Sequence, residues 1–247
     1  IFKVKVIILT AGSGARLNYG KPKSLVDIDH RKLLDIQLNQ LKLAGISLDD
    51  VVVITGYKSK LFNEYNLKKI KNKKYKKTNQ VFSISCASDY LNEQKVLIIY
   101  GDVLFEEPLI TNLLNSKHEV IVPSYTSFKK LWKIRGDSEF EDLETFEFND
   151  SLTLTHIGNK VKDIDLVQGQ FMGLIYMNNY KFKMFLDNYQ LFKVEKNYKE
   201  YLELQTTTFL NYLISNSVQI NIMPYDGYFM ELDSRGDLEI IQQTLSF

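Results

Sequence analysis

The chain has 247 residues, 45% of them hydrophobic, and a formal net charge of +1 at pH 7. That length is enough to bury a full core, as one large domain or two small ones. The near-neutral balance points to an ordinary globular protein and away from a nucleic-acid binder or a specialist for acidic substrates. A single cysteine, Cys86, excludes an intramolecular disulfide and a cysteine-based structural zinc site. The three histidines, His30, His118 and His156, lack a metal-ligand spacing, and no Ser-His-Asp or Cys-His set stands out. The cytoplasm is the expected compartment.

In chain order, apolar runs at 4–9, 51–55, 96–100 and 120–122 predict buried strands. The first run is short and is interrupted by Lys3 and Lys5, which reads as a first strand and not as a signal peptide or membrane span. Helical patterns lie between the strands, at 32–44 closed by Gly45, at 80–91 and at 109–115. Such alternation predicts a layered α/β domain with a largely parallel sheet. Its ligands are expected at the carboxyl ends of the strands. The lysine-rich run 68–77 reads as a solvated connection before the helix at 80, with a nucleic-acid or anionic-surface patch as the alternative.

From 128 to 162 the chain turns polar, and 144–148 and 151–157 alternate as short antiparallel strands do. The region 124–170 is therefore expected to be an insertion or lid on a single domain spanning 1–247. A buried strand follows at 171–177, then helices near 180–189 and 204–215, a strand at 218–222 and a last amphipathic helix at 234–245. There is no internal repeat or low-complexity linker.

The first strand empties into Leu9-Thr10-Ala11-Gly12-Ser13-Gly14-Ala15-Arg16, followed by Lys21-Pro22-Lys23. Small residues let backbone N–H groups approach an oxyanion, and Arg16 and Lys23 add positive charge where a triphosphate would sit. A dinucleotide fingerprint would want a third glycine where Leu17 stands, and a P-loop would close on Gly-Lys-Ser/Thr. A plain turn that needs glycine for positive φ is the bland alternative. The order of strand, glycine loop, arginine and Pro-Lys favours transfer of NMP from an NTP to a phosphate-bearing acceptor.

That chemistry needs no protein nucleophile, only positioning, a divalent metal and positive charge. Asp102, directly after Gly101 at the tip of a buried strand, is placed to hold a hard cation, although Gly-Asp is also a common turn or cap. Asp233, in Met230-Glu231-Leu232-Asp233-Ser234, supplies a second carboxylate, with helix capping by Asp233 or Ser234 as the bland alternative. The expected metal is Mg²⁺, held by Asp102 and Asp233.

With these motifs the chain resembles the nucleotidyltransferase superfamily that activates sugar phosphates and phosphocholine, over nearly its whole length. The run Thr78-Asn79-Gln80-Val81-Phe82-Ser83 is similar to the small-acceptor cytidylyltransferases. Trp132-Lys133-Ile134-Arg135, an acidic stretch over 139–160, and Gln168-Gly169-Gln170-Phe171-Met172-Gly173-Leu174 narrow the likeness. They resemble the subgroup that acts on phosphorylated glutamine in capsular phosphoramidate synthesis.

The resemblance implies a three-layer Rossmann-like nucleotidyltransferase fold, akin to glycosyltransferases of type A, with a mostly parallel mixed sheet and a small antiparallel insertion. It implies that residues 10–16 hold the triphosphate of CTP, with Leu9 alongside, and that Lys23 contacts phosphate. Thr78, Asn79 and Ser83 would lie near the nucleotide, and Trp132, Arg135 and Gln170 would line the pocket of a small phosphorylated acceptor. Arg135 suits a bidentate grip on the acceptor phosphate, while Trp132 is nearly as well explained by packing.

The implied partners are CTP and that acceptor, without nucleic acid or membrane, and homo-oligomerisation stays open. The implied product is a CDP-linked compound for surface-polysaccharide modification. Acceptors such as phosphocholine, an aminoalkylphosphonate or a sugar 1-phosphate are the alternatives. One departure bears on acceptor choice: Thr207-Thr208 stands where many relatives carry Thr-Asp. A glycosyltransferase would normally hold its metal with Asp-x-Asp, where this chain has Gly101-Asp102-Val103. A non-catalytic nucleotide sensor would be expected to have lost some of Arg16, Lys23, Asp102 and Asp233.

Overall fold

A computed structural model describes residues 4–90, 95–136, 143–161 and 163–245. Strand β1 (Lys5–Thr10) leads through the glycine loop and a two-stranded ribbon, β2 (Asp27–Ile28) and β3 (Arg31–Lys32), into helix α1 (Leu33–Leu43). Then come β4 (Val51–Thr55), β5 (Lys68–Lys71), α2 (Gln80–Ser85), β6 (Val96–Tyr100), β7 (Val103–Phe105), α3 (Glu107–Asn115) and β8 (Val120–Tyr125). Helix α4 (Phe128–Arg135) precedes β9 (Glu144–Phe148) and β10 (Leu154–Lys160), and β11 (Gln170–Phe171) and β12 (Leu174–Met177) follow. The chain closes with α5 (Lys181–Glu195), α6 (Tyr198–Leu202), α7 (Thr206–Ser215), β13 (Asn221–Tyr225), β14 (Phe229–Glu231) and α8 (Arg235–Thr244).

Among the described residues, eight strands form the central sheet. β6, β1, β4 and β5 run parallel to their neighbours in that order. β12 joins β6 antiparallel and hands the sheet on to β8, which pairs with β13 in parallel on its far side. β11 and β12 both lie antiparallel to β8 on one flank, as two pieces of a split strand. The sheet is thus mostly parallel, as expected, and the antiparallel hairpin of β9 and β10 lies outside it. Every residue of β4 and β8 is buried, as are the first four of β6, because the sheet is covered on both faces.

Several elements differ from their expected form, each for a physical reason. Residues 68–71 are an edge strand and not a bare connection. Their backbone pairs with Val52–Thr55, while Lys68, Lys69 and Lys71 discourage a further strand from adding. The polar middle contains a helix as well as the two strands: α4 buries Phe128, Leu131 and Trp132 at helical spacing and turns its lysines outward.

The expected strand 171–177 breaks at Gly173, whose φ is +72° and whose carbonyl accepts from Tyr100 N at 2.9 Å. A Cβ there would meet the Tyr100 ring at 3.0 Å. Helix α2 stops at Ser85 and a 3₁₀ turn spans Ser88–Tyr90, with residue 91 outside the described residues. The acidic stretch begins at 139, and its residues 139–142 also lie outside them. The strand expected at 218–222 starts later, at Asn221.

Candidate active site

The carboxyl end of β1 opens into the glycine loop, which is pinned to both neighbouring strands. Gly101 N donates to Leu9 O at 2.9 Å, Tyr57 N to Ala11 O at 3.0 Å, and Thr10 Oγ1 to Ile54 O at 3.0 Å. Gly14 has φ +61°, and a Cβ there would lie 2.9 Å from Lys23 Cγ, so glycine lets the lysine stem pass behind the loop. Leu17 N and Asn18 N both return to Gly14 O. The loop therefore closes as turns, and the next α-helix starts only at Leu33. Positive charge here comes from Arg16 and Lys23 and not from a helix end.

A cavity of about 300 Å³ sits on this loop, lined by Leu9, Thr10, Gly12, Gly14, Arg16, Lys23 and Asp102 among others. Ala11 and Ser13, also expected to hold nucleotide, do not line it.

Pairing of β7 with β14 sets Glu231 opposite Val103, and Leu232 N donates to Asp102 O at 2.8 Å. This register draws carboxylate oxygens of Asp102, Glu231 and Asp233 to within 4.8 Å of one another. Glu231 was not among the metal ligands expected from the sequence. Its two-residue offset from Asp233 along an extended segment was the available signal, since such residues share a face.

Lys23 Nζ donates to Asp102 Oδ2 at 2.9 Å and also to Asp233 Oδ1, which accepts from Arg16 Nη2 at 3.0 Å. Burial works against the charge on Lys23, but Asp102 and then Asp233 outweigh it and hold the ammonium above the ordinary lysine range. Burial, followed by repulsion from Asp233 and Asp102, pushes the Glu231 carboxyl well above the usual carboxylate range. Three converging carboxylates with only oxygen donors suit a hard divalent cation such as Mg²⁺.

On the far side of the acids lies a second cavity, also of about 300 Å³, lined by Arg16, Glu231 and Asp233. Trp132, Arg135 and Gln170, the expected acceptor residues, line it together with Tyr100, Glu144 and Thr206. Trp132 Nε1 donates to Gln170 Oε1 at 2.9 Å, and the Arg135 guanidinium lies over the indole, 4.6 Å from its centroid. Trp132 is thus both a packing residue and a cavity wall.

Arg135 Nε and Nη2 donate to the two oxygens of Asp237 at 2.7 and 3.2 Å. Its Nε/Nη2 edge is engaged by that carboxylate. Asp237 is a functional neighbour that sequence reasoning missed. It also accepts from Asp233 N at 3.0 Å and Ser234 N at 2.8 Å, and Ser234-x-x-Asp237 was legible as a capping box.

Thr78, Asn79 and Ser83 line neither cavity. The fully buried Asn72 donates to Thr78 Oγ1 at 2.9 Å and to Ser83 Oγ at 3.1 Å. Asn79 caps α2, and its backbone N–H donates to Leu202 O at 2.9 Å. These residues brace the start of α2, and the next residue, Gln80, reaches the cavity lined by Trp132 and Gln170. Thr207 lines that cavity as well, whereas Thr208 is exposed and does not.

Residues 6–150 match the MobA-like NTP transferase domain. The chain belongs to this nucleotidyltransferase family. This NTP transferase is 28% identical to the CTP:phosphoglutamine cytidylyltransferase of Campylobacter jejuni over 96% of its own length and 98% of that protein's. It is 32% identical to the choline-phosphate cytidylyltransferase of Haemophilus influenzae, over 50% of this chain and 54% of that one. The solved structure of the inositol-1-phosphate CTP transferase from T. maritima shares its fold, with a TM-score of 0.72 at 16% identity over 98% of both chains. The NTP transferase is therefore an enzyme of the Rossmann-like nucleotidyltransferase fold. Among the described residues no helix is long and apolar enough to cross a membrane.

Proposed function

We propose that this NTP transferase is a cytidylyltransferase that moves CMP from CTP to a small phosphorylated acceptor of the phosphoglutamine class. The single observation that carries the reading is a shared wall. The glycine-loop cavity and the acceptor-side cavity both contain Arg16 and meet across Asp102, Glu231 and Asp233. In the reaction an acceptor phosphate oxygen attacks the α-phosphorus of the triphosphate, and the bond to the β-phosphate oxygen breaks, so that pyrophosphate leaves. Arg16 and Lys23 stand where they offset the charge of the phosphates. Asp102, Glu231 and Asp233 would hold Mg²⁺, which supplies Lewis-acid charge neutralisation.

Cytosine as the base, and phosphorylated glutamine as the acceptor, rest on likeness to the Campylobacter jejuni enzyme along nearly the full length of both chains. The region 124–170 supplies much of the acceptor wall through Trp132, Arg135, Glu144 and Gln170. Phosphocholine is the second reading, because the Haemophilus influenzae enzyme is similar over half of the chain. One face of Trp132 is already covered by Arg135, which leaves less open aromatic surface for a quaternary ammonium.

The test is pyrophosphate release from each of four NTPs with Mg²⁺ against glutamine phosphate, phosphocholine, an aminophosphonate and glucose 1-phosphate. Turnover that is fastest with CTP and glutamine phosphate is expected. Preference for another base or acceptor would replace this reading.

A further inference from the structure

The lysines between β4 and α2 form a strongly biased patch. Residues 56–79 hold nine lysines and one acid, Glu64, which Lys32 already holds. That is a net +8 in a chain of net +1, so the remaining residues are net −7. Lys68, Lys69 and Lys71 guard a sheet edge, but Lys60, Lys73, Lys76 and Lys77 lie outside that strand. With Lys71 these four are exposed, and among the described residues none of the five makes a hydrogen bond or ion pair. Crowded like charges without partners repel one another, so a patch of this kind is costly unless an anion meets it.

The fold places the patch beside the glycine loop. β1, β4 and β5 run parallel, with Thr10 in register with Thr55 and Thr55 with Lys71, so all three end on one edge of the sheet. Two strand spacings put those ends about 10 Å apart, close to the Debye length of about 8 Å at physiological salt. A Cβ on Gly56 would lie 2.6 Å from Ala11 O and 2.7 Å from Tyr75 Cβ, so the turn over 73–77 and the glycine loop press on the same residue. Lys58 Nζ donates to Gly20 O at 2.6 Å and ties the two segments again. Inside the glycine-loop cavity, Lys23 and Arg16 are each bonded to a carboxylate of the acidic cluster. Their charge is largely offset within the site, so the attractive field outside it comes from the patch.

We infer that this lysine patch is an approach surface for the polyphosphate of the incoming nucleotide, which speeds encounter without holding the bound triphosphate. The inference rests on the proposed reading that a nucleoside triphosphate occupies the glycine-loop cavity. A nucleic acid or an anionic membrane is the other kind of partner for such a patch. Either would extend past it onto a remainder that is net −7, whereas a compact triphosphate meets the lysines alone.

The test is stopped-flow binding of a ribose-labelled fluorescent CTP at about 20 mM and about 500 mM salt. The patch variant carries Lys71→Gln, Lys73→Gln, Lys76→Gln and Lys77→Gln. The control removes as much charge near the opposite edge of the sheet, through Lys42→Gln, Lys117→Gln, Lys181→Gln and Lys183→Gln. At low salt the patch variant is expected to associate at least about fivefold more slowly than the parent, with dissociation unchanged within about twofold. At high salt the difference should vanish, and the control should associate within about twofold of the parent at both salts. Folding is checked by thermal melting, and Lys73→Gln with Lys76→Gln carries the test if the fourfold variant does not fold.

A folded patch variant that associates as fast as the parent at low salt would overturn the inference, and so would an equal slowing in the control. Slower association that persists at high salt, or a loss confined to dissociation, would show direct contact in place of steering and would also overturn it. Single-stranded DNA and phosphatidylserine vesicles are run in parallel. Binding of either that the patch variant loses, with nucleotide association unchanged, would assign the patch to that polyanion instead. Failure of the parent to bind the labelled CTP would count against the nucleotide reading itself, an outcome distinct from a patch that does not steer.

Discussion

Arg135 lies over the indole of Trp132 while its Nε and Nη2 fork onto Asp237, so a cation on α4 is held by a carboxylate in the first turn of α8. The same carboxylate fixes the backbone of Asp233, which faces the nucleotide side through Lys23 and Arg16. One buried acid thereby couples the Trp132 wall of one cavity to the carboxylate cluster of Asp102, Glu231 and Asp233.

Removing that acid should cost both stability and activity. Asp237 and Arg135 have side chains only 1% and 2% exposed, so Asp237→Ala leaves a buried cation with only the more distant Asp233, at 3.9 Å, as its counter-charge, at about 3–5 kcal/mol. Asp237→Asn keeps the shape but loses the charge and is expected to destabilise less. Denaturant unfolding of the three proteins measures the difference, and equal stability of Asp237→Ala and the parent would contradict the coupling.

Asp102→Asn and Asp233→Asn should each lower turnover at least tenfold, because each removes a carboxylate from the cluster that suits Mg²⁺. Both are expected to fold, with melting curves that match the parent's. Near-normal pyrophosphate release under Mg²⁺ by either variant would sink the metal assignment.

Glu231 offers a pH test. Its folded-state pKa is raised above 4.5 by burial and by the two aspartates. As pH rises past the unfolded value, the unfolded chain gives up this proton first, so the group draws stability away until the folded carboxyl also ionises. In chelator, Glu231→Gln is therefore expected to be more stable than the parent above about pH 5, with the gap closing at lower pH. In Mg²⁺ it is expected to lose activity. A gap that widens on acidification would show that the sign is wrong.

Lys23→Ala removes the ammonium shared by Asp102 and Asp233 and should slow turnover through lost charge at the phosphates. Kinetics like the parent's would argue against its role.

The Asn72 side chain makes three hydrogen bonds from a fully buried position, to Thr78, Ser83 and the backbone of Lys74. Asn72→Ala strands those partners and is expected to lower stability by about 2–4 kcal/mol, read from the urea midpoint. If Thr78 and Ser83 also touch nucleotide, the KM for CTP should rise with it. A rise without a stability loss would mean that Asn72 does not brace them.

Much of this architecture was legible in the sequence because local rules and tertiary context agree there. The parallel strands β1, β4 and β6 are runs of Val, Ile and Leu that can only be buried. The glycine loop declares itself through Gly12, Gly14, Arg16 and Lys23. Helix α4 was equally present as Phe128, Leu131 and Trp132 at helical spacing, but the surrounding charge masked it.

Other features depend on which segments meet, and composition cannot supply that. The lysines of β5 become a strand only because the β4 edge offers backbone partners. Glu231 joins Asp102 only through the β7–β14 register, and Arg135 is held in place only because α8 brings Asp237 against it. The sequence by itself determined the chemistry available, a glycine loop with cations and carboxylates. Tertiary structure decided which charges neutralise one another and which remain for a ligand, because charge pairing depends on distances between residues far apart in the chain.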